Sequence, residues 1–248
     1  MTDFLVRKLI YPVPWINVPS PPPAPLKEMK LPVSGNDFIH VWYHTDDSLR
    51  PFIIYLHGNG ENLETLWLSG IYKQFIDMKI NFFVPDYPGY GNSSGKPGEK
   101  NIIEAVSELL KWVREHYPEN PLILAGWSLG ASVAIIVGAD HQKDLKGIMA
   151  ISPWISLQEV ASEHYPDWLV KLFLREKYDS AAALRDTDIP VLLIHGAQDD
   201  VIPVTHGREL SRLRGNSVRY LEIPMAGHSD LFSHPRFWSE FMHFIEAP

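Results

Sequence analysis

The sequence predicts an α/β fold: a mostly parallel, eight-stranded twisted sheet with helices on both faces and a short helical cap. Three observations predict it. Short apolar runs alternate with stretches of helical periodicity along most of the chain, as in a parallel sheet covered on both sides. Polar loops follow the runs that end at residues 56, 125, 194 and 223, and such sheets place their sites at the carboxyl ends of their strands. Finally, residues 121–138 read as a buried strand, a sharp Gly-x-Ser-x-Gly turn and a helix.

In chain order, residues 1–27 form a proline-rich arm. Seven prolines fall between 11 and 25, which predicts an extended, polyproline-like course. The arm packs on the domain in one reading. In the other it contacts a membrane surface through residues 1–18, using Phe4, Leu5, Leu9, Ile10, Trp15 and Ile16. The domain proper spans 28–248. Strands are expected at 29–33 and 38–43, joined at Ser34-Gly35-Asn36-Asp37, then at 52–56, 81–84, 122–125, 147–151, 191–194 and 218–223. Helices are expected at 63–78, at 99–117 with Ile102, Ile103, Val106, Leu109, Leu110 and Val113 inward, after Ser128, near 205–213, and at 237–245. Residues 152–189 show little strand pattern and read as a short helical cap inserted in the domain.

Gly126-Trp127-Ser128-Leu129-Gly130 carries the chemistry. The glycines permit a strained turn that would present Ser128, and the Leu129 amide opens a helix, where N–H groups lack partners and the dipole favours an anion. Alone the pattern discriminates weakly, since it recurs by chance in about one chain in twelve of this length. Its surroundings decide. A serine nucleophile needs a base, and the base needs a group that fixes its tautomer. The run 191–194 leads into His195-Gly196-Ala197-Gln198-Asp199-Asp200, so Asp199 is the candidate acid and Asp200 the alternative. Of eleven histidines, His228 follows both the last strand and the acid, which makes it the candidate base.

An oxyanion needs two backbone donors. Leu129 is one candidate, and Asn59 in His57-Gly58-Asn59-Gly60 is the other. His57 and His195 read as structural, bonding to loop backbone. Trp154, Trp168, Leu172 and Phe173 of the cap are the candidate substrate-binding side chains. Gly89-Tyr90-Gly91-Asn92-Ser93-Ser94-Gly95 is one residue too long for a dinucleotide fingerprint, and Pro97 stands where a phosphate-binding loop needs Ser or Thr. It reads as a structural loop.

The chain has 22 Lys and Arg against 30 Asp and Glu, a net charge of −8, which argues against a nucleic-acid partner. It has no cysteine, so disulfides, thiolate catalysis and zinc–thiolate sites are excluded. No apolar run approaches the ~20 residues that span a bilayer. The expected location is cytoplasmic.

Taken together, His57-Gly-Asn-Gly, Asp86-Tyr-Pro-Gly-Tyr-Gly-x-Ser, Gly126-Trp-Ser-Leu-Gly, Pro190-Val-Leu-Leu-Ile-His-Gly-x-x-Asp199 and Gly227-His228 make residues 28–248 resemble the α/β-hydrolase superfamily. Ser152-Pro153, Ser156-Leu157, Tyr178-Asp179-Ser180 and Gly227-His228-Ser229-Asp230-Leu231 resemble its small-capped group, which includes protein depalmitoylases and related esterases. Ser229 stands where many of these have Asn. The resemblance implies a cofactor-independent, metal-free serine hydrolase that acts on a small-molecule or acylated substrate at an ester or thioester bond. A peptidase or amidase with the same three residues, and a catalytically silent binding protein on this fold, are the alternatives.

Overall fold

Strands that pair through buried, β-branched and aromatic side chains set the architecture. The computed structural model describes residues 10–46 and 49–247. The described strands are β1 (Lys27–Pro32), β2 (Phe38–His44), β3 (Phe52–Leu56), β4 (Asn81–Pro85), β5 (Leu122–Trp127), β6 (Gly147–Ile151), β7 (Val191–Gly196) and β8 (Val218–Ile223). They form one eight-stranded sheet in the order β1-β2-β4-β3-β5-β6-β7-β8. The described residues divide into two compact units at Leu122/Ile123.

In the first unit, β1 and β2 pair antiparallel with Met29 opposite Val41, β2 and β4 pair antiparallel with Val41 opposite Pro85, and β3 and β4 pair parallel with Phe52 opposite Asn81. Every residue of β3 and β4 is buried, as expected for strands covered on both faces. Three helices complete this unit: α1 (Leu63–Ser69), α2 (Ile71–Asp77) and α3 (Glu99–His116). The single helix expected over 63–78 is thus two. Gly70 adopts φ 81°, the left-handed conformation that ends a helix, and the chain restarts at Ile71. Helix α3 buries Ile102, Val106, Leu109, Leu110 and Val113 as expected, and Ala105, while Ile103 is only half-buried.

The described part of the arm lies on this unit. Tyr11, Val18 and Leu26 are buried, whereas Trp15 is 99% exposed. Three asparagines hold its backbone. Asn59 Nδ2 donates to the Ile10 carbonyl, Asn62 Nδ2 to that of Ile16 at 2.8 Å and Asn92 Nδ2 to that of Val18 at 2.8 Å. Phe4, Leu5 and Leu9 of the membrane-contact reading lie outside the described residues.

In the second unit all pairings are parallel, with Gly126 opposite Ala150, Ile151 opposite Ile194 and Gly196 opposite Ile223. Helix α4 (Leu129–Asp140) follows β5 directly and is buried almost all round, as its uniformly apolar sequence dictates. Three short helices make up the cap: α5 (Leu157–His164), α6 (Asp167–Phe173) and α7 (Ser180–Arg185). Helices α8 (Val204–Arg212) and α9 (Pro235–Glu246) follow β7 and β8. Among the described residues, no helix is long and apolar enough to cross a membrane.

Candidate active site

Ser128 stands between β5 and α4 with φ 56° and ψ −116°, a conformation that costs a non-glycine residue of order 1–3 kcal/mol. The turn survives because its surroundings fix it. The Ser128 N–H donates to the Ile151 carbonyl at 2.9 Å, and the Ser128 carbonyl accepts from Ala131 N–H at 3.0 Å. Gly126 permits the tight approach, since a Cβ there would lie 2.1 Å from the Gly130 carbonyl oxygen. Ser128 is buried, and the Leu129 N–H, at the first position of α4, has no acceptor among the described residues.

The loops after β7 and β8 bring Asp199 and His228 together. Pairing of the two strands continues into those loops, where Ala197 N–H donates to the Ile223 carbonyl and Gln198 N–H to that of Ala226, both at 2.9 Å. The approach requires glycine at 196, because a Cβ there would meet the carbonyl oxygens of Ala226 at 2.4 Å and Gly227 at 2.6 Å. Asp230 Oδ1 accepts from the Gly227 N–H at 2.6 Å and steadies the second loop.

Asp199 divides its oxygens. Oδ1 accepts from the N–H groups of Val201 at 3.0 Å and Ile202 at 2.8 Å, while Oδ2 lies 2.8 Å from His228 Nδ1. Burial alone would raise this carboxyl. Hydrogen bonds from His195 and His228, the charge on His228 and the Ile202 amide outweigh it and hold the group well below the usual carboxylate range. Asp200, the alternative acid, is exposed. The indole of Trp127 packs on the His228 ring with centroids 5.0 Å apart. His228 therefore lies against the residue that immediately precedes Ser128. Sequence reasoning missed this contact because Trp127 occupies a free position of the turn pattern.

The loop after β3, in the first unit, carries Asn59. Glu61 Oε2 accepts from the Gly58 N–H at 2.8 Å, and Tyr87 Oη donates to the His57 carbonyl at 2.8 Å. Tyr90 Oη lies 2.8 Å from Asn59 Oδ1. The Asn59 side chain is therefore committed to structure, while its backbone N–H has no acceptor among the described residues. His57 is structural as expected: its Nδ1 donates to the Gly58 carbonyl at 2.8 Å. Its Nε2 lies 3.7 Å from Asp86 Oδ1, but burial decides the charge of both. It lowers His57 to about 4 and raises Asp86 to about 7, so both are neutral between those values. Burial also raises Glu61 to about 7, against the Gly58 hydrogen bond.

A pH dependence follows. The folded state holds protons on Asp86 and Glu61 that the unfolded chain gives up above the ordinary carboxylate range. Their contribution is full below about pH 4 and is lost as pH rises through about 7. His57 acts oppositely, its contribution falling as pH drops from 6.5 toward 4, but it is one group against two. Thermal melts should therefore give a higher Tm at pH 6 than at pH 8, and Asp86→Asn should flatten the difference. A wild-type Tm that is higher at pH 8 would contradict these protonation states.

The cap side chains are placed differently from one another. Trp154 is buried, its Nε1 donating to the Tyr178 carbonyl at 3.2 Å. Trp168, Leu172 and Phe173, the other candidate substrate-binding side chains, are exposed, the first two at 66% and 63%, and form an open apolar ridge on α6. The reason is local: Val170 and Leu174 supply the buried face of that segment, leaving the larger side chains outward. Among the described residues, no three His, Asp or Glu side chains are placed to hold a metal ion.

Comparison with known proteins identifies the family. The profile of the alpha/beta hydrolase fold family matches residues 51–177. The chain belongs to that family. An uncharacterized protein of Mycobacterium tuberculosis, Rv2307c, is 29% identical over 237 residues, which cover 90% of this chain and 80% of that protein. Mouse alpha/beta hydrolase domain-containing protein 17C is 30% identical over 203 residues, covering 80% of this chain and 60% of the mouse protein. Among solved structures, the Pyrococcus furiosus esterase Pf2001 shares the fold with a TM-score of 0.77 and 22% identity, over 94% of this chain and 97% of the esterase.

Proposed function

We propose that this alpha/beta hydrolase cleaves carboxylic ester or thioester bonds through an acyl-enzyme on Ser128. The observation that carries the proposal is the strained serine at the β5–α4 turn, with the His228–Asp199 pair packed against its neighbour Trp127. Strain of this kind persists where function needs the side chain presented, and the serine hydroxyl becomes nucleophilic only beside a base. In the proposed reaction Ser128 Oγ attacks the carbonyl carbon while His228 Nε2 takes its proton. The tetrahedral intermediate collapses, and the same proton leaves on the departing alcohol or thiol. Water then attacks the acyl carbon, giving its proton to His228, and the acid departs as Ser128 regains a hydrogen. Asp199 keeps the proton on His228 Nδ1 throughout. The amide of Leu129 is assigned to the developing oxyanion; it is a donor without an acceptor at the first position of α4, which supports the assignment. Pf2001 is an esterase on the same fold, which is consistent with ester chemistry here.

The reading is tested with a fluorophosphonate probe and p-nitrophenyl butyrate. Covalent labelling and steady turnover are expected, both lost in Ser128→Ala. A folded protein that takes neither reagent would be a silent binding protein on this fold.

A further inference from the structure

His195 sits at the end of β7, wholly buried, one residue before the glycine over which the His228 loop closes. It was expected to serve only loop backbone, and in part it does: its Nε2 lies 2.9 Å from the Ile202 carbonyl. The same nitrogen is also 3.4 Å from Asp199 Oδ2, the oxygen that faces His228. The other ring nitrogen, Nδ1, has no hydrogen-bond partner and faces the backbone of Gly207, where an added Cβ would lie 2.6 Å away. A proton on Nδ1 would therefore be a buried donor with no acceptor, a costly arrangement. The Nε2–H therefore serves as the ring's donor: it bonds the Ile202 carbonyl, and Asp199 Oδ2 lies 3.4 Å from the same nitrogen.

From this geometry we propose that His195 is a positioning residue for the reaction assigned above: it locks the Asp199 carboxylate in the orientation that fixes the tautomer of His228. The inference rests on the reading of Asp199 as the acid that holds His228. Its physical content is a closed loop of contacts. The Ile202 N–H donates to Asp199 Oδ1, and the Ile202 carbonyl accepts from His195, whose Nε2 also lies 3.4 Å from Asp199 Oδ2. Rotating the carboxylate about its Cβ–Cγ bond would break the Ile202 contact at one oxygen and the His195 contact at the other. With both in place, Oδ2 stays 2.8 Å from His228 Nδ1 and keeps that proton from moving to the other ring nitrogen. Asp199 is held as a carboxylate despite its burial in part by the His195 hydrogen bond, which agrees with the geometry.

Three variants test this. His195→Met fills a similar volume without a donor. His195→Gln keeps an N–H near the position of Nε2. Gly207→Ala leaves His195 unchanged but presses on its ring. With p-nitrophenyl butyrate, H195M and G207A are expected to lower kcat about tenfold and to leave KM within about twofold, whereas H195Q retains most of the rate. The nitrogen chemical shifts of His228, which report its tautomer, should change in H195M and return toward wild type in H195Q. A purely structural histidine would lower Tm and move neither kcat nor those shifts in the folded enzyme, and that result overturns the proposal. Should H195M not fold, His195→Asn replaces it, because its shorter amide cannot reach Asp199. The same loss is expected, and a wild-type kcat overturns the proposal equally. If the wild-type protein neither turns over the ester nor takes the fluorophosphonate, the hydrolase reading fails by itself. The His228 shifts then still decide the role of His195, since unmoved shifts in H195M refute it and altered ones support it.

Discussion

Ser128→Ala is expected to lower kcat for p-nitrophenyl butyrate by about 10⁴-fold or more and to abolish fluorophosphonate labelling, with the fold intact. The size of the effect follows from the division of labour. Without the hydroxyl there is no acyl-enzyme, and only binding and the backbone donors remain to assist water. The fold should survive because the turn is held by backbone contacts, Ser128 N–H to Ile151 and Ala131 N–H to the Ser128 carbonyl, that alanine keeps. His228→Ala should lose a similar factor, since the two act as a unit. Substantial esterase activity retained by a clean preparation of Ser128→Ala would move the nucleophile elsewhere.

Asp199→Asn should be nearly as damaging, on the order of 10⁴-fold in kcat, because an amide at that site can stabilise the wrong tautomer of His228. Asp200→Asn should change kcat by less than about twofold, since that side chain is exposed. Side-by-side kinetics of the two variants checks the assignment, and the reverse ranking would transfer the role to Asp200. The depressed native pKa also bears on stability. It stabilises the fold above the ordinary carboxylate range, and that contribution is lost as pH falls below about 4. Asp199 is thus ionised throughout the neutral range in which the rates would be compared.

The strands were legible because burial on both faces leaves uninterrupted apolar runs, as in residues 52–56 and 147–151, which match β3 and β6 to the residue. Helix ends were harder to read. Nothing in the apolar spacing of 63–78 announces a break, and only the φ of Gly70 makes α1 and α2 separate. Asp199 and His228 were legible as residues following strands, but their 2.8 Å contact depends on the pairing of Gly196 with Ile223, which spacing cannot convey. Trp127 escaped for the same reason: it touches His228 through a tertiary approach and occupies a free position of the turn pattern. His195 was legible as a residue bonding loop backbone, but its nearness to Asp199 was not. The outward placement of Trp168, Leu172 and Phe173 was not legible in their aromatic and apolar content, because the smaller Val170 is what α6 turns inward.

The arm is held by three side-chain amides that read only main-chain carbonyls, those of Ile10, Ile16 and Val18. Such a clasp recognises where the backbone runs, and the packing of Tyr11, Val18 and Leu26 adds a demand on side chains at those three positions. Drift should therefore be tolerated at the arm's exposed positions, such as Trp15, wherever the extended course is kept, which proline favours without asking for particular neighbours. The constraint falls instead on the asparagines and on the three buried side chains, so the segment has little freedom in its path and freedom in its spelling only where it faces solvent.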